Sequence, residues 1–208
     1  MLVVGLTGNY GMGKSAVLAL FGKYGAAVLD SDEVVHSLLS EQEVLDKIRR
    51  LFGSAVFFED GTLNRGRLAE IVFREDALRH SLEEILHPLV FRRIDGFLQE
   101  NYGKCGIAVI EVPLLFEGGY EKRFDRTITV FTDAETALLR LAAVGIGRED
   151  ADRRLKTQLS IEEKKKRSDY VIDNRADLKT TETHVAAIYK KLVEEVGDGN
   201  NQRDRKSH

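Results

Sequence analysis

Gly8-Asn9-Tyr10-Gly11-Met12-Gly13-Lys14-Ser15 fits the pattern G-x-x-x-x-G-K-[ST]. Glycines at positions 8, 11 and 13 let the backbone curl until successive N–H groups converge, which suits phosphate oxygens. Lys14 adds a mobile cation for the outer phosphates of a nucleoside triphosphate, and the Ser15 hydroxyl offers a hard oxygen ligand to Mg²⁺. A plain glycine-rich turn would account for neither Lys14 nor Ser15. Such a loop holds and polarises a triphosphate, but it does not say where the phosphoryl group goes.

Acidic residues supply candidates for that second task. Asp30-Ser31-Asp32 follows the short apolar run Ala26–Leu29, and a carboxylate there could orient and partly deprotonate an attacking hydroxyl. Asp32 is the candidate for this role, while Asp30 or Ser31 serves equally well as the N-cap of a following helix. Glu111, near the end of the run Gly106–Val112, could hold the magnesium shell through water. A GTPase would carry D-x-x-G after a later strand and an N-K-x-D base reader, and the chain has neither. What remains is a small phosphotransferase with a second pocket for its acceptor.

The elements that must position these residues are legible as alternating periods. Leu2–Leu6, Ala26–Leu29, Gly106–Val112, Phe124–Phe131 and Tyr170–Ile172 read as short buried strands. Helices are expected at about 14–24, 134–144, 149–159, 161–167 and 179–196. Strands alternating with helices imply a parallel sheet covered on both faces. The fold class is therefore α/β, a three-layer P-loop NTPase fold. Residues 33–102 are mostly helical, more than one crossover needs, and read as an inserted helical lobe for the acceptor. That lobe has a turn at Glu59-Asp60-Gly61-Thr62, and Pro88 is expected in the first turn of a helix running to about Glu100. The basic run Lys164 to Arg167 reads as a solvated helix face. Residues 1–196 form one kinase domain in this reading, with a polar, disordered tail at 197–208.

Composition narrows the classes. The 208 residues are 43% hydrophobic and 31% charged, enough for a real core, with a formal net charge of -3. That balance argues against wholesale nucleic-acid binding, which needs a basic face. The single cysteine, Cys105, cannot form an internal disulfide and reads as structural. The apolar start Met1–Leu6 is too short to span a bilayer, so the chain reads as cytoplasmic, with no membrane and no nucleic-acid partner. Oligomeric state is left open.

From Leu2 to about Ile188 the chain resembles the dephospho-coenzyme A kinase family. After the glycine loop, Val28-Leu29-Asp30-Ser31-Asp32 is similar to that family's V-I-D-A-D. Asp60-Gly61-Thr62-Leu63-Asn64-Arg65 follows, then Ile85-Leu86-His87-Pro88-Leu89, similar to I-x-H-P. Val112-Pro113-Leu114-Leu115-Phe116-Glu117 matches V-P-L-L-F-E, and Gln158, Glu163-Lys164 and Asp169 to Asn174 match the final block. The resemblance implies transfer of the ATP γ-phosphate to the ribose 3′-hydroxyl of dephospho-coenzyme A, with Mg²⁺. It implies that Gly8 and Gly11, Met12, Gly13, Lys14, Ser15 and Ala16 bind the ATP phosphates, that Ser15 ligates the metal, and that Asn174 lies near the adenine. It casts Asp32, Lys14 and Arg140 as catalytic, Arg140 as the arginine of a lid over about 140–167, with Arg154 assisting. Asp32, Arg65, His87, Leu114 and Leu115 would contact the acceptor. Another small-molecule or nucleoside hydroxyl is the alternative acceptor. The family's second lid cation, about four residues after Arg140, is absent near Val144, and Arg148 is the candidate to replace it.

Overall fold

β1 (Leu2–Thr7) is the middle strand of a five-stranded sheet in the computed structural model of this chain, which describes the backbone of residues 1–205 and the side chains of 1–197 except Phe73. The strand order is β2-β3-β1-β4-β5, with β2 at Ala27–Asp30, β3 at Ile107–Glu111, β4 at Arg126–Phe131 and β5 at Tyr170–Asp173. Every neighbouring pair is parallel. The registers align Asp30 with Glu111, Leu6 with Glu111, and Phe131 with Asp173. The carboxyl ends of the strands therefore share one edge, where open α/β sheets place their ligands.

The period of two sorts the side chains. Val4, Leu6, Ile107, Val109, Ile128, Val130 and Ile172 face one layer, built from α1 (Lys14–Lys23) and α9 (Leu178–Arg205). Val17 and Phe21 of α1 and Val185, Ile188 and Leu192 of α9 recur at helical spacing and complete this core. Burying each of these larger side chains contributes about 1.5–3 kcal/mol. On the opposite face, a Cβ on Gly5 would lie 3.0 Å from Phe124 and 3.2 Å from Leu115, so the sheet is closely covered there too. α8 (Ile161–Arg167) covers β4 on this side, where the Thr129 hydroxyl donates to the Lys164 carbonyl at 3.3 Å.

The chain divides into two units, 1–30 with 98–208 and 31–97. The second carries α2 (Ser31–Leu38), α3 (Gln42–Phe52), α4 (Arg65–Arg74) and most of α5 (Asp76–Asn101). Its turn at 59–62 closes as the sequence suggests. The Asp60 carboxylate accepts from the Thr62 N–H and hydroxyl, Gly61 takes φ +84°, and Phe57 bridges Leu63.

Two expectations are corrected here. Pro88 does not open a helix but lies inside α5, leaving the Glu84 carbonyl without its usual N–H partner. Interior proline costs about 3 kcal/mol, and buried Leu86, Val90 and Ile94 flank it at helical spacing. Packing of that stripe outweighs the local penalty. The second correction is at the end of the chain, where α9 continues past Val196 to Arg205, through the stretch read as a tail. Once a helix is nucleated, each further residue adds a hydrogen bond, so a polar stretch can extend it. Residues 206–208 lie outside the described residues. Among the described residues, no helix is long and apolar enough to cross a membrane.

Candidate active site

The glycine loop leaves β1 at Thr7 and enters α1 at Lys14, so the N–H groups opening α1 are aimed at the loop's concavity. Gly13 is the N-cap, in the left-handed region with φ +83°, and no side chain caps the helix. The amides and the positive dipole end are thus left for an anion. Gly11 has φ +81°. Sterics enforce glycine as strongly as dihedrals do. A Cβ on Gly8 would sit 2.4 Å from the Val130 carbonyl oxygen, and one on Gly13 2.3 Å from Asn174 Nδ2 and 3.1 Å from Arg140 Nη1.

The walls of the loop come from distant segments of the same unit. Asn174, just after β5, donates through Nδ2 to the Met12 carbonyl at 2.8 Å and accepts from the Thr181 hydroxyl at 2.9 Å. Arg140, on α6 (Ala134–Ala143), donates through Nη2 to the Asn174 carbonyl at 3.1 Å. Its Nη1 is buried and has no hydrogen-bond partner among the described residues. A guanidinium N–H beside the glycine loop with nothing to bond is suited to a phosphate oxygen. Met12 is buried, and its sulfur accepts from the Thr132 N–H. Lys14 is 9% exposed, with Nζ 3.7 Å from Glu111 Oε1, while Ser15 and Ala16 are open to solvent. Cradle, cation, hydroxyl, arginine and strand-end acid therefore converge in one unit.

A family model of dephospho-CoA kinases matches residues 2–180. The chain belongs to the dephospho-CoA kinase family. It is 37% identical over 191 residues to the dephospho-CoA kinase of Aquifex aeolicus, covering 91% of this chain and 97% of that protein. It is 40% identical over 196 residues to that of Symbiobacterium thermophilum, covering 91% and 81%. The solved structure of TT1252 from Thermus thermophilus superposes with a TM-score of 0.81 at 34% identity, covering 92% of this chain and 97% of that one. A dephospho-CoA kinase from Campylobacter jejuni, 21% identical, shares the fold with a TM-score of 0.60 over 91% and 96%.

The remaining positions named by resemblance to dephospho-CoA kinases fall as follows. Asp32 is exposed in the first turn of α2, two residues beyond the carboxyl end of β2. Arg65 braces that same helix, with Nη2 donating to the His36 carbonyl and to Ser40 Oγ, each at 3.1 Å, and Nη1 against the His36 ring. His87 is half-buried, and desolvation lowers its pKa, with Glu83 opposing. Leu115 is fully buried against Gly5 in the sheet's cover and is a core residue; Leu114 is partly exposed. Arg154, on α7 (Arg148–Leu155), lies over the Tyr10 ring at 4.7 Å.

Arg148 lines an apolar cleft of about 420 Å³ with Glu135, Leu138, Leu139, Ala142 and Ile146. At about 100° per residue, that face of α6 is roughly opposite Arg140. The side of α6 that Arg148 meets is thus not the side that carries Arg140. Two residues that chemistry-based reading passed over belong to the site's frame, Lys164 and Glu117. Lys164 is fully buried rather than solvated, and its Nζ meets Glu117 Oε1 at 2.9 Å. Their presence in two motif blocks was the available signal.

A Gly13→Ala substitution tests the cradle without touching a charge. It forces a positive φ on a residue with Cβ, costing about 1–3 kcal/mol, and drives that Cβ into Asn174 and Arg140. The expected result is a Tm lower by about 2–4 °C per kcal/mol, together with loss of measurable ATP binding by titration calorimetry. Retained ATP affinity would contradict the placement of triphosphate against Gly13.

Proposed function

We propose that this chain transfers the γ-phosphoryl group of ATP to the ribose 3′-hydroxyl of dephospho-coenzyme A, giving coenzyme A and ADP. The observation that carries the reading is the buried, unpartnered Nη1 of Arg140, beside a glycine loop in a chain of this family. In this reading the loop amides and Lys14 hold the β- and γ-phosphates. Arg140 meets the charge that spreads onto the transferring group. Asn174 already spends its amide on Met12 and Thr181, so its role is to brace the loop from the adenine side. Asp32 orients the 3′-hydroxyl and takes its proton as the new P–O bond forms.

Magnesium fits this arrangement as an ion shared with the nucleotide. Among the described residues no group of three or more His, Cys, Asp or Glu side chains could cage a metal, whereas the Ser15 hydroxyl is open beside the cradle and Glu111 lies behind Lys14. Mg²⁺ favours one or two protein oxygens plus phosphates and water. Bound there, it would neutralise charge on the β- and γ-phosphate oxygens.

The test is ADP release from Mg²⁺ and ATP, with and without dephospho-coenzyme A. Release that depends on the acceptor, with coenzyme A formed in equal amount, is the expected outcome. Release indifferent to dephospho-coenzyme A, or supported instead by a nucleoside or sugar, would overturn the acceptor assignment.

A further inference from the structure

Lys164 has no place in the phosphate chemistry above, yet it is a fully buried cation. Its Nζ donates to the Pro113 carbonyl and to Glu117 Oε1, each at 2.9 Å. Pro113 O also accepts from the hydroxyl of Thr7, the last residue of β1, at 3.0 Å. Glu117 Oε1 also accepts from the Leu159 N–H at 2.8 Å, and the Leu159 carbonyl accepts from Asn9 Nδ2 at 3.1 Å. Thr7 and Asn9 flank Gly8. The hydrogen bonds thus close a ring, from Thr7 through Pro113, Lys164, Glu117 and Leu159 back to Asn9. One rung beside it, the Tyr10 N–H donates to Gln158 Oε1 at 3.0 Å.

We propose that Lys164 and Glu117 are positioning residues for phosphoryl transfer, which fix the Gly8–Tyr10 limb of the phosphate cradle through this ring. The physical argument is one of direction. A buried ion pair contributes little net stability compared with apolar side chains of the same volume. What it adds is geometry, because an ammonium and a carboxylate specify where the carbonyl and N–H around them must stand. Here those groups are the Pro113 carbonyl, which holds the end of β1, and the Leu159 N–H, which sets the carbonyl that anchors Asn9. Desolvation lowers the Lys164 pKa and the Lys14 charge lowers it further, while Glu117 opposes both, so the two lysines lie within electrostatic reach of each other. The ring also ties Leu159, in the short turn between α7 and α8, to the loop. Any lid movement would then pivot N-terminal to Gln158.

The proposal rests on the kinase reading only for its turnover and dephospho-coenzyme A measurements, because binding of Mg²⁺–ATP reads the cradle directly. The decisive variant is the Lys164→Met/Glu117→Leu pair, which removes both charges and leaves no buried ion unpaired. Its thermal unfolding should stay close to that of the parent. Its ATP affinity and kcat should both fall, giving a loss in kcat/KM for ATP of about 10²-fold, while dephospho-coenzyme A affinity is kept. Glu117→Gln, which keeps an acceptor for Leu159 and Lys164, should recover at least about tenfold of what Glu117→Leu loses. A folded double variant with ATP affinity and kcat within about threefold of the parent would overturn the proposal. So would a Glu117→Gln as impaired as Glu117→Leu. Should the double variant not fold, Asn9→Ala decides: it opens the ring at its far end and should weaken ATP binding, and unchanged affinity would overturn the ring's role.

Discussion

Replacing Lys14 with methionine is expected to cut kcat by about 10²–10³-fold, the loss typical when one preorganised donor to a developing charge is removed. Methionine keeps the unbranched stem that is buried in the loop and deletes only the ammonium. The stability effect must be separated from the catalytic one. Lys14 Nζ lies 3.7 Å from Glu111 Oε1, and both side chains are nearly buried, at 9% and 4% exposure. Removing the cation leaves a buried carboxylate short of compensation, costing about 1–3 kcal/mol of folding stability. Adding Glu111→Gln to Lys14→Met should therefore restore most of the Tm and none of the turnover. If the double variant regained turnover as well, Lys14 would be acting through the fold and not on the phosphates.

That separation follows from how the site is built. The proposed cradle is built largely from backbone amides and from glycines whose missing Cβ atoms make room for Asn174, Arg140 and the Val130 carbonyl. Local sequence could show this part, because the loop pattern, the strand before it and the helix after it lie within about twenty residues and obey short-range rules. β1 and α1 fall where the pattern places them, and so do β3 and β5 to within a residue or two. The strand order was a different matter. Alternation implies a parallel sheet, but β2-β3-β1-β4-β5 depends on pairings across a hundred residues that no local period encodes.

The misreadings have the same origin. Lys164 in a basic run looks solvated, and the approach of Glu117 Oε1 and the Pro113 carbonyl to its Nζ makes its burial tolerable. Pro88 looks like a helix start until the stripe Leu86, Val90 and Ile94 is seen to be buried on both sides of it. The Arg65 acceptor contact named by resemblance stands apart from these misreadings; what the sequence did not show is its grip on His36 and Ser40, which comes from a fold of the chain across more than two dozen residues. For Lys164 and Arg65 the missing information was a long-range partner, and for Pro88 it was the burial of its own helix stripe. Burial of a charge is decided by what surrounds it in space, and single-sequence periodicity carries no information on that.

Asp32→Asn is the second large effect expected, and it isolates the acceptor chemistry from the phosphate chemistry. The substitution is nearly isosteric and falls on an exposed residue in the first turn of α2. Losing the negative charge at a helix N-terminus costs only about 0.3–1 kcal/mol, so the variant should remain folded. An amide can still accept a hydrogen bond from the ribose hydroxyl, but it cannot take its proton. Turnover should therefore fall by about 10²–10⁴-fold, the range that positioned general bases contribute. The affinity for Mg²⁺–ATP, which the proposed reading assigns to Lys14, the loop amides and Arg140, should stay within about twofold of the parent. Loss of both turnover and ATP affinity would place Asp32 in the nucleotide site, and unchanged turnover would remove it from the reaction. The split predicted here follows from where the chain puts its charges. In the proposed reaction the cations for the phosphates, Lys14 and Arg140, lie on α1 and α6, whereas the carboxylate for the acceptor, Asp32, opens α2.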